Sequence, residues 1–311
     1  MRGHALLVLA AVLLVAAYTV TRTVDNRYVY FAAYGILQYV VLATAWNILG
    51  GYTGYVNFGT GGFFALGVYT SVFLIRAVNA PLLVQIAAGG LVAGLLGLGI
   101  GYLTLRLRGV FFSISTLALA VVLETIMVNW EYVGGSRGAS VVRPAPMALF
   151  DNYVAFLFVV MALLAMGAVA VAWLIEHSKI GRAFAAIRDN EEAAECMGVP
   201  TLRLKLLATT LSGALMGIAG APFPYYLTFV DPSSAFNLSY AVNSLAMPMV
   251  GGTTSWLGPV IGAVLLGTVQ QLATVTISSE LNLLIVGVVL VAFVVLAPEG
   301  ILGLARRLRG R

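Results

Sequence analysis

Long apolar runs, separated by short polar stretches, dominate the chain. A helix needs roughly 20 mostly apolar residues to cross the hydrocarbon core of a membrane, so the runs predict about ten spanning helices. We place these helices near residues 5–20, 28–49, 62–78, 82–105, 110–129, 153–175, 204–222, 238–252, 256–276 and 280–297. The pattern therefore predicts an all-α integral membrane protein, a polytopic bundle that forms a single transmembrane domain over residues 1–311.

The first run has two interpretations. Residues 1–20 hold one arginine followed by a continuous apolar stretch, which is also typical of a secretory signal peptide. We favour a first membrane helix, because the run is longer than a usual signal-peptide core and no clear small-x-small cleavage site follows it.

Composition supports a membrane protein and excludes several other classes. Hydrophobic residues make up 61% and charged residues 9% of the chain, whereas a soluble domain carries about 25% charged residues. The single cysteine, Cys196, excludes a disulfide within the chain, and with only two histidines and no C-x-x-C pair we expect no structural zinc site and no cofactor. The net charge of +5 comes from basic residues at the ends of apolar runs, so we expect no nucleic-acid binding.

The basic residues also predict the orientation. With the N-terminus in the cytoplasm and an even number of spans, the inner side receives twelve of the 17 basic residues and the outer side five. The inner set is Arg2, Arg106, Arg108, Lys179, Arg182, Arg188, Arg203, Lys205, Arg306, Arg307, Arg309 and Arg311, and the outer set is Arg22, Arg27, Arg76, Arg137 and Arg143. Because cytoplasmic loops are enriched in Lys and Arg, both termini are predicted to be cytoplasmic.

Two uncharged glycine-rich segments interrupt the helical pattern, at 50–62 and 247–259. Six glycines in the thirteen residues of the first segment argue against a continuous helix. Non-helical backbone at membrane depth must be buried in protein or line a cavity, so Asn57 and Thr60 are candidate translocation residues. For the segment at 50–62, the alternative is a tight turn whose glycines allow close helix packing. For the segment at 247–259, the alternative is a turn between helices, with Pro259 in the first turn of the next helix.

The polar stretch 176–205 is predicted to hold a short helix over 190–197. Asp189 or Asn190 can cap its start, acidic residues fill its first turn, and Gly198 can end it before Pro200. Ala193, Ala194 and Met197 would form a small apolar face, with Glu191, Glu192 and Glu195 pointing elsewhere. Such a helix suits docking on a partner, although the pattern alone favours a solvated cytoplasmic loop.

Glu124 is the acidic residue predicted to lie well inside a span. Placing a carboxylate at that depth has a high free-energy cost unless it faces a cavity or a partner, so Glu124 is a candidate pathway residue. It lies towards the outer end of its span, where interfacial water is an alternative partner. Arg76 lies at the outer end of another span, where its guanidinium can reach the interface.

These segments together resemble the permease of branched-chain amino acid ABC importers, of the LivM type. The segments that carry the resemblance, in the family's order, are GYVNFGTGGFF at 54–64, FFSISTLA at 111–118, GGSRG at 134–138, SKIGRAFAAIRDNEEAAECMG at 178–198, GGTTSWLGP at 251–259 and PEGILG at 298–303. The segment at 178–198 is the most specific match, and it favours a docking helix over a solvated loop.

The resemblance implies that the stretch 176–205 is the cytoplasmic loop that couples the permease to an ATPase. The residues it implies for this coupling are Arg188, Asp189, Asn190, Glu191, Ala193, Ala194, Glu195, Met197 and Gly198. The chain departs from the family where Asn57 and Thr60 replace the usual Ser and His, and where Val121 and Glu124 replace an expected Glu and Arg. These departures fall in the expected pathway, so the resemblance predicts the type of transporter more firmly than the solute that it carries.

The resemblance implies a bacterial inner-membrane importer in which this chain forms half of the channel and is not itself an enzyme. A second homologous permease subunit, two ATP-binding cassette subunits and a periplasmic or lipid-tethered solute-binding protein complete it. The chain itself carries no G-x-x-x-x-G-K-[ST] motif, so ATP hydrolysis must come from a partner. Alternatives are the same machine carrying urea, short amides or aromatic acids, an ATP-independent secondary transporter, and a membrane enzyme, for which no catalytic constellation is seen.

Overall fold

A computed structural model describes residues 27–104, 109–144, 150, 152–276, 284, 287, 288, 291, 292 and 300–309. The fold is built almost entirely from helices: α1 (Arg27–Thr53), α2 (Thr60–Val78), α3 (Leu82–Thr104), α4 (Val110–Asn129), α5 (Tyr153–Glu176), α6 (Lys179–Asp189), α7 (Glu191–Cys196), α8 (Thr201–Gly220), α9 (Phe223–Leu227), α10 (Pro232–Ala235), α11 (Leu238–Gly251), α12 (Leu257–Thr276) and α13 (Gly300–Arg309). Two short 3-10 helices (Glu131–Val133 and Gly135–Arg137) follow α4, and β1 (Ala139–Ser140) pairs antiparallel with β2 (Phe229–Val230).

Seven helices in the described part of the chain are long and apolar enough to cross a membrane. They correspond to seven of the ten predicted spans, which confirms the all-α polytopic class. The predicted span at 238–252 is instead α11, a 14-residue helix with Pro248 inside it, shorter than the membrane requires. The predicted span at 5–20 and most of the one at 280–297 lie outside the described residues.

Helix α1 is the centre of the bundle and packs against α5, α8, α11 and α12. Helices α2, α3 and α8 approach each other through glycine. A Cβ placed on Gly67 of α2 would lie 2.0 Å from the Gly217 carbonyl oxygen of α8, and one on Gly97 of α3 would lie 2.8 Å from the Thr209 carbonyl oxygen. Such distances are too short for any side chain, so glycine is what permits these backbones to meet.

The first glycine-rich segment is broken over a shorter stretch than the sequence predicts. Gly50 and Gly51 continue α1, which ends only at Thr53, and the non-helical backbone is confined to residues 54–59. Gly54 has a φ of 80°, a left-handed conformation that glycine adopts without strain. The bundle supplies enough packing around Gly50 and Gly51 to outweigh their poor helix propensity.

The second glycine-rich segment forms a turn between α11 and α12, with Pro259 in the first turn of α12. A Cβ on Gly251 would lie 1.8 Å from the Gly258 carbonyl oxygen. Its glycines therefore permit close backbone contact, and the turn with Pro259 at the start of the next helix is what the alternative interpretation predicts.

Candidate functional site

The backbone at residues 54–59, which we call the break, is exposed at Gly54 and becomes largely buried beyond it, where side chains of α1 and α4 hold it. The Trp46 indole N–H donates to the Asn57 carbonyl at 2.8 Å, and Ser113 Oγ donates to the Val56 carbonyl at 2.9 Å. The Phe58 N–H in turn donates to Thr116 Oγ1 at 3.1 Å. These bonds satisfy backbone carbonyl and N–H groups that have no hydrogen-bond partner within a helix. Two of the family-like segments, 54–64 and 111–118, are therefore in direct contact.

The predicted pathway residues Asn57 and Thr60 lie inside the bundle. Asn57 is 1% exposed, and its Oδ1 accepts the Gly59 N–H at 2.7 Å, just before α2 begins. Thr60 is fully buried, and its hydroxyl has no hydrogen-bond partner among the described residues. Neither side chain lines either of the two cavities described below, but their neighbours Phe58 and Gly61 line one of them.

A cavity of about 440 Å³, which we call the α4 cavity, lies between the break, α4 and the α10–α11 junction. Its lining includes Phe58, Leu117, Val121, Glu124 and Asn237. Glu124 is half-buried, and in the described part of the chain its carboxylate makes no hydrogen bond and no ion pair. The structure thus brings the candidate Glu124 to a cavity next to the break.

A second carboxylate belongs to the surroundings of the α4 cavity. Asp231 caps α10 and accepts hydrogen bonds from the Ser233 hydroxyl and the Ser234 N–H, and Ser233 lines the cavity. Burial tends to raise the pKa of Asp231, but the hydrogen bonds from the two serines outweigh burial and hold this pKa below its usual range. Asp231 is therefore ionised at neutral pH.

The polar stretch forms two short helices whose ends follow the predicted rules. Ser178 Oγ caps α6, and Asn190 Oδ1 accepts the Ala193 N–H at 3.0 Å and caps α7. Gly198 has a φ of 84°, and hydrogen bonds from the N–H groups of Gly198 and Val199 to the carbonyls of Glu195 and Ala194 close the end of α7. This pattern is a Schellman motif, for which the left-handed residue is normally glycine.

A buried ion pair fixes α7 to the break. Lys205 Nζ of α8 lies 2.6 Å from Glu191 Oε1, and the two side chains are only 4% and 15% exposed. The Tyr55 hydroxyl joins both groups, because it accepts from Lys205 Nζ at 3.1 Å and donates to Glu191 Oε2. The Tyr55 ring also packs edge-on against Phe112 of α4, with ring centroids 5.3 Å apart. We call Tyr55, Glu191 and Lys205 the loop triad.

Helix α6 makes a second attachment to the end of α1. Phe184 and Ile187 are buried in a cluster with Leu49 and Tyr52. Arg188 donates to the Gly51 carbonyl at 3.4 Å and pairs with the neighbouring Asp189, which is mostly exposed. A cavity of about 310 Å³ lies between this helix pair and the break. The loop is therefore packed onto the bundle rather than solvated on all sides.

The apolar face predicted for α7 is divided between the chain's interior and its surface. Ala194 is 5% exposed and packs within the chain, whereas Ala193 is exposed and Met197 is 84% exposed. Glu191, predicted to point away from this face, turns inward to Lys205, and Glu195 accepts from Thr201 Oγ1. Glu191 turns inward because α8 supplies the buried cation of Lys205. The residue pattern along α7 alone cannot reveal this partner.

Sequence reasoning missed the roles of Tyr55 and Lys205, and treated Lys205 only as a topology signal. One signal was available: the predicted span 204–222 places Lys205 inside its first turn, where a lysine needs a partner or a route to water. Within the described residues, no group of three His, Cys, Asp or Glu side chains could hold a metal ion.

Comparisons with known proteins agree with this architecture. The profile of the family described as "Branched-chain amino acid transport system / permease component" matches residues 28–294. The high-affinity branched-chain amino acid transport system permease protein LivM of Escherichia coli K12 is 29% identical over 293 residues, which covers 86% of this chain and 68% of the relative. The probable branched-chain amino acid transport permease protein LivH of Methanocaldococcus jannaschii is 24% identical over 79% of this chain and 82% of its own length.

A further relative differs in the solute that its name gives. The autoinducer 2 import system permease protein LsrC of Yersinia pseudotuberculosis is 26% identical over 66% of this chain and 58% of its own length. No solved structure shows a significant match to the chain.

Proposed function

This chain belongs to the family of permease components of branched-chain amino acid transport systems, and we propose that it forms half of the translocation channel of an ATP-driven ABC importer. The expected solutes are branched-chain or similar amino acids, as in the names of the LivM and LivH relatives. The name of LsrC indicates that solute differs among such permeases. The chain is then a transport subunit, and separate ATPase subunits hydrolyse ATP.

The observation that carries this proposal is the attachment of the stretch 176–205 to the break. Through the loop triad, a displacement of α7 acts on Tyr55, and through Phe112 it acts on α4, which lines the α4 cavity. A solvated loop would have no reason to bury a charged pair, because burying charge is costly without a tight partner. The geometry suits a loop that couples an ATPase to the channel.

The proposed assembly contains a second homologous permease, two ATP-binding cassette subunits and a periplasmic or lipid-tethered solute-binding protein, in the bacterial inner membrane. Residues 1–311 would act as one permease domain with both termini in the cytoplasm. This orientation requires that α9 to α11 together return the chain to the inner side, since α11 alone is shorter than a membrane span. We expect the chain to be inactive alone. Transport by this permease with the ATPases but without a second permease would contradict the pairing.

The ATPase contact is tested at the exposed side of α7. Ala193→Arg and Met197→Arg add bulk and charge to the surface proposed to dock, where overpacking costs about 1–3 kcal/mol, so recovery of ATPase subunits with the permease should fall roughly tenfold. Cys196→Ser is the matched control, because Cys196 is exposed on the same helix.

The same variants are reconstituted with the binding protein, and solute-stimulated ATP hydrolysis is measured. Both Arg variants should lose stimulation while keeping wild-type expression and thermal stability, since neither residue is buried. Normal ATPase recovery and normal stimulation in both would refute docking through α7.

A further inference from the structure

We propose that the α4 cavity binds a positively charged amino group of the solute at Glu124. This inference rests on the proposed transport function and specifies the chemistry that this half of the channel recognises. Three observations carry it: a carboxylate without a partner among the described residues, the charge of its surroundings and the largely apolar character of the remaining walls.

Glu124 lies on α4 five residues before the helix ends at Asn129, roughly 7–8 Å along the axis. Its carboxylate lines the α4 cavity and makes no hydrogen bond or ion pair with any described residue. A carboxylate at membrane depth is retained where it meets a cavity or a charged partner. Because the cavity already holds this carboxylate, a solute that supplies a cation compensates its charge directly.

The surroundings add negative rather than positive charge. No described residue that lines the cavity is basic, and Asp231, whose carboxylate binds the lining residue Ser233, stands beside it. The hydroxyl of Tyr69 is buried without a hydrogen-bond partner among the described residues, and the charges of both Asp231 and Glu124 act on it. The local field therefore favours a cation and disfavours an anion.

The rest of the lining selects an organic cation over a metal ion. Phe58, Leu117 and Val121 present apolar surface, and the volume of about 440 Å³ is in the range of small-molecule sites. A divalent metal ion prefers six or more oxygen ligands, and the lining supplies only one carboxylate with the side chains of Ser233 and Asn237. The Asn237 Oδ1 already accepts the Ser239 N–H. A protonated amine on an apolar body matches both parts of the cavity.

The charge of the cavity is measured with a cysteine reporter, which the sequence makes simple because Cys196 is the single native cysteine. Val121→Cys in a Cys196→Ser background places a thiol among the lining residues, and Leu117→Cys is a second reporter. In the assembled importer, the rate of labelling by a trimethylammonium-ethyl methanethiosulfonate is divided by the rate for the sulfonatoethyl reagent. With Val121→Cys, one helical turn from the charge, Glu124→Gln should lower this ratio roughly tenfold, because the charge acts oppositely on the two reagents. With Leu117→Cys, about two turns away, the ratio should fall by a smaller factor. Glu131→Gln, which removes an exposed acid in the 3-10 helix after α4 and outside the cavity lining, should leave it unchanged.

Solute class is then tested by protection of the same thiols. Isopentylamine at millimolar concentration should slow labelling by an uncharged maleimide at least threefold, and 4-methylpentanoate, which has the same apolar body with a carboxylate, should not. Protection by the amine should vanish with Glu124→Gln. A ratio unchanged by Glu124→Gln with both reporters, or equal protection by the two compounds, would overturn the proposal. ATP-dependent uptake by wild type is measured in parallel, so that a failure of the transport function itself is seen separately.

Discussion

Replacing Lys205 by methionine removes one charge from the loop triad while keeping the length of an unbranched side chain. Lys205 Nζ lies 2.6 Å from Glu191 Oε1, and both side chains are nearly buried. The variant leaves the Glu191 carboxylate in place without this cation, while the Tyr55 hydroxyl can still donate to it.

The size of the effect follows from burial. Breaking a buried ion pair by removing one partner typically costs about 3–5 kcal/mol, because the remaining charge keeps its desolvation penalty. The hydrogen bond from Tyr55 to Glu191 persists in the variant, and a hydrogen bond to a charged group contributes about 1.5–3 kcal/mol. We therefore expect the loss of local stability to lie at the lower end of the range, at about 3 kcal/mol. The double variant Lys205→Met/Glu191→Gln removes both charges and should recover to within about 1 kcal/mol of wild type.

Hydrogen–deuterium exchange of peptides covering residues 190–200 is the direct assay, because the triad stabilises this segment locally. A loss of 3 kcal/mol corresponds to roughly a hundredfold faster exchange through local opening. Arg203→Met is the matched control, since Arg203 is an exposed basic residue two positions earlier on the same helix. Solute-stimulated ATP hydrolysis should fall in Lys205→Met and return in the double variant.

Two results would refute this reasoning. If the exchange rate in Lys205→Met is within threefold of the rate in the Arg203→Met control, the buried pair contributes little to local stability. Exchange in the double variant as fast as in the single variant would mean that the lysine acts through packing and not through its charge.

Three further changes test other parts of the structure. Gly67→Ala should prevent stable expression or lower the thermal midpoint sharply, because its Cβ would lie 2.0 Å from a backbone carbonyl of α8, whereas Gly99→Ala meets nothing within 4 Å and should stabilise by roughly 0.5–1 kcal/mol. Gly198→Val should destabilise the end of α7 by about 1–3 kcal/mol because of its φ of 84°, with a smaller effect of Gly198→Asn, and equal exchange rates for the two variants at residues 195–201 would contradict this. Asn57→Leu removes the acceptor of the Gly59 N–H and should cost about 1–3 kcal/mol and reduce transport while ATPase recovery stays normal. Full transport by this variant would count against the break as part of the route.

The spans were accessible from the sequence because lipid imposes a simple rule on them: every residue that faces it must be apolar over a length fixed by the bilayer. Seven predicted spans are described helices of the required length and composition. The caps at Asn190 and Gly198 were equally accessible, since they depend on local backbone geometry that a few neighbouring residues decide.

Tertiary structure decided everything that depends on contacts between distant segments. It kept Gly50 and Gly51 helical, brought Glu124 to a cavity beside the break, and turned Ala194 and Glu191 inward. Lys205 and Glu191 are 14 residues apart, and Tyr55 is 150 residues from Lys205, so no periodicity along the chain could indicate that they meet. A pattern along one helix records which side is apolar, but only the neighbouring helices determine whether a polar group on that side meets lipid, water or a buried partner.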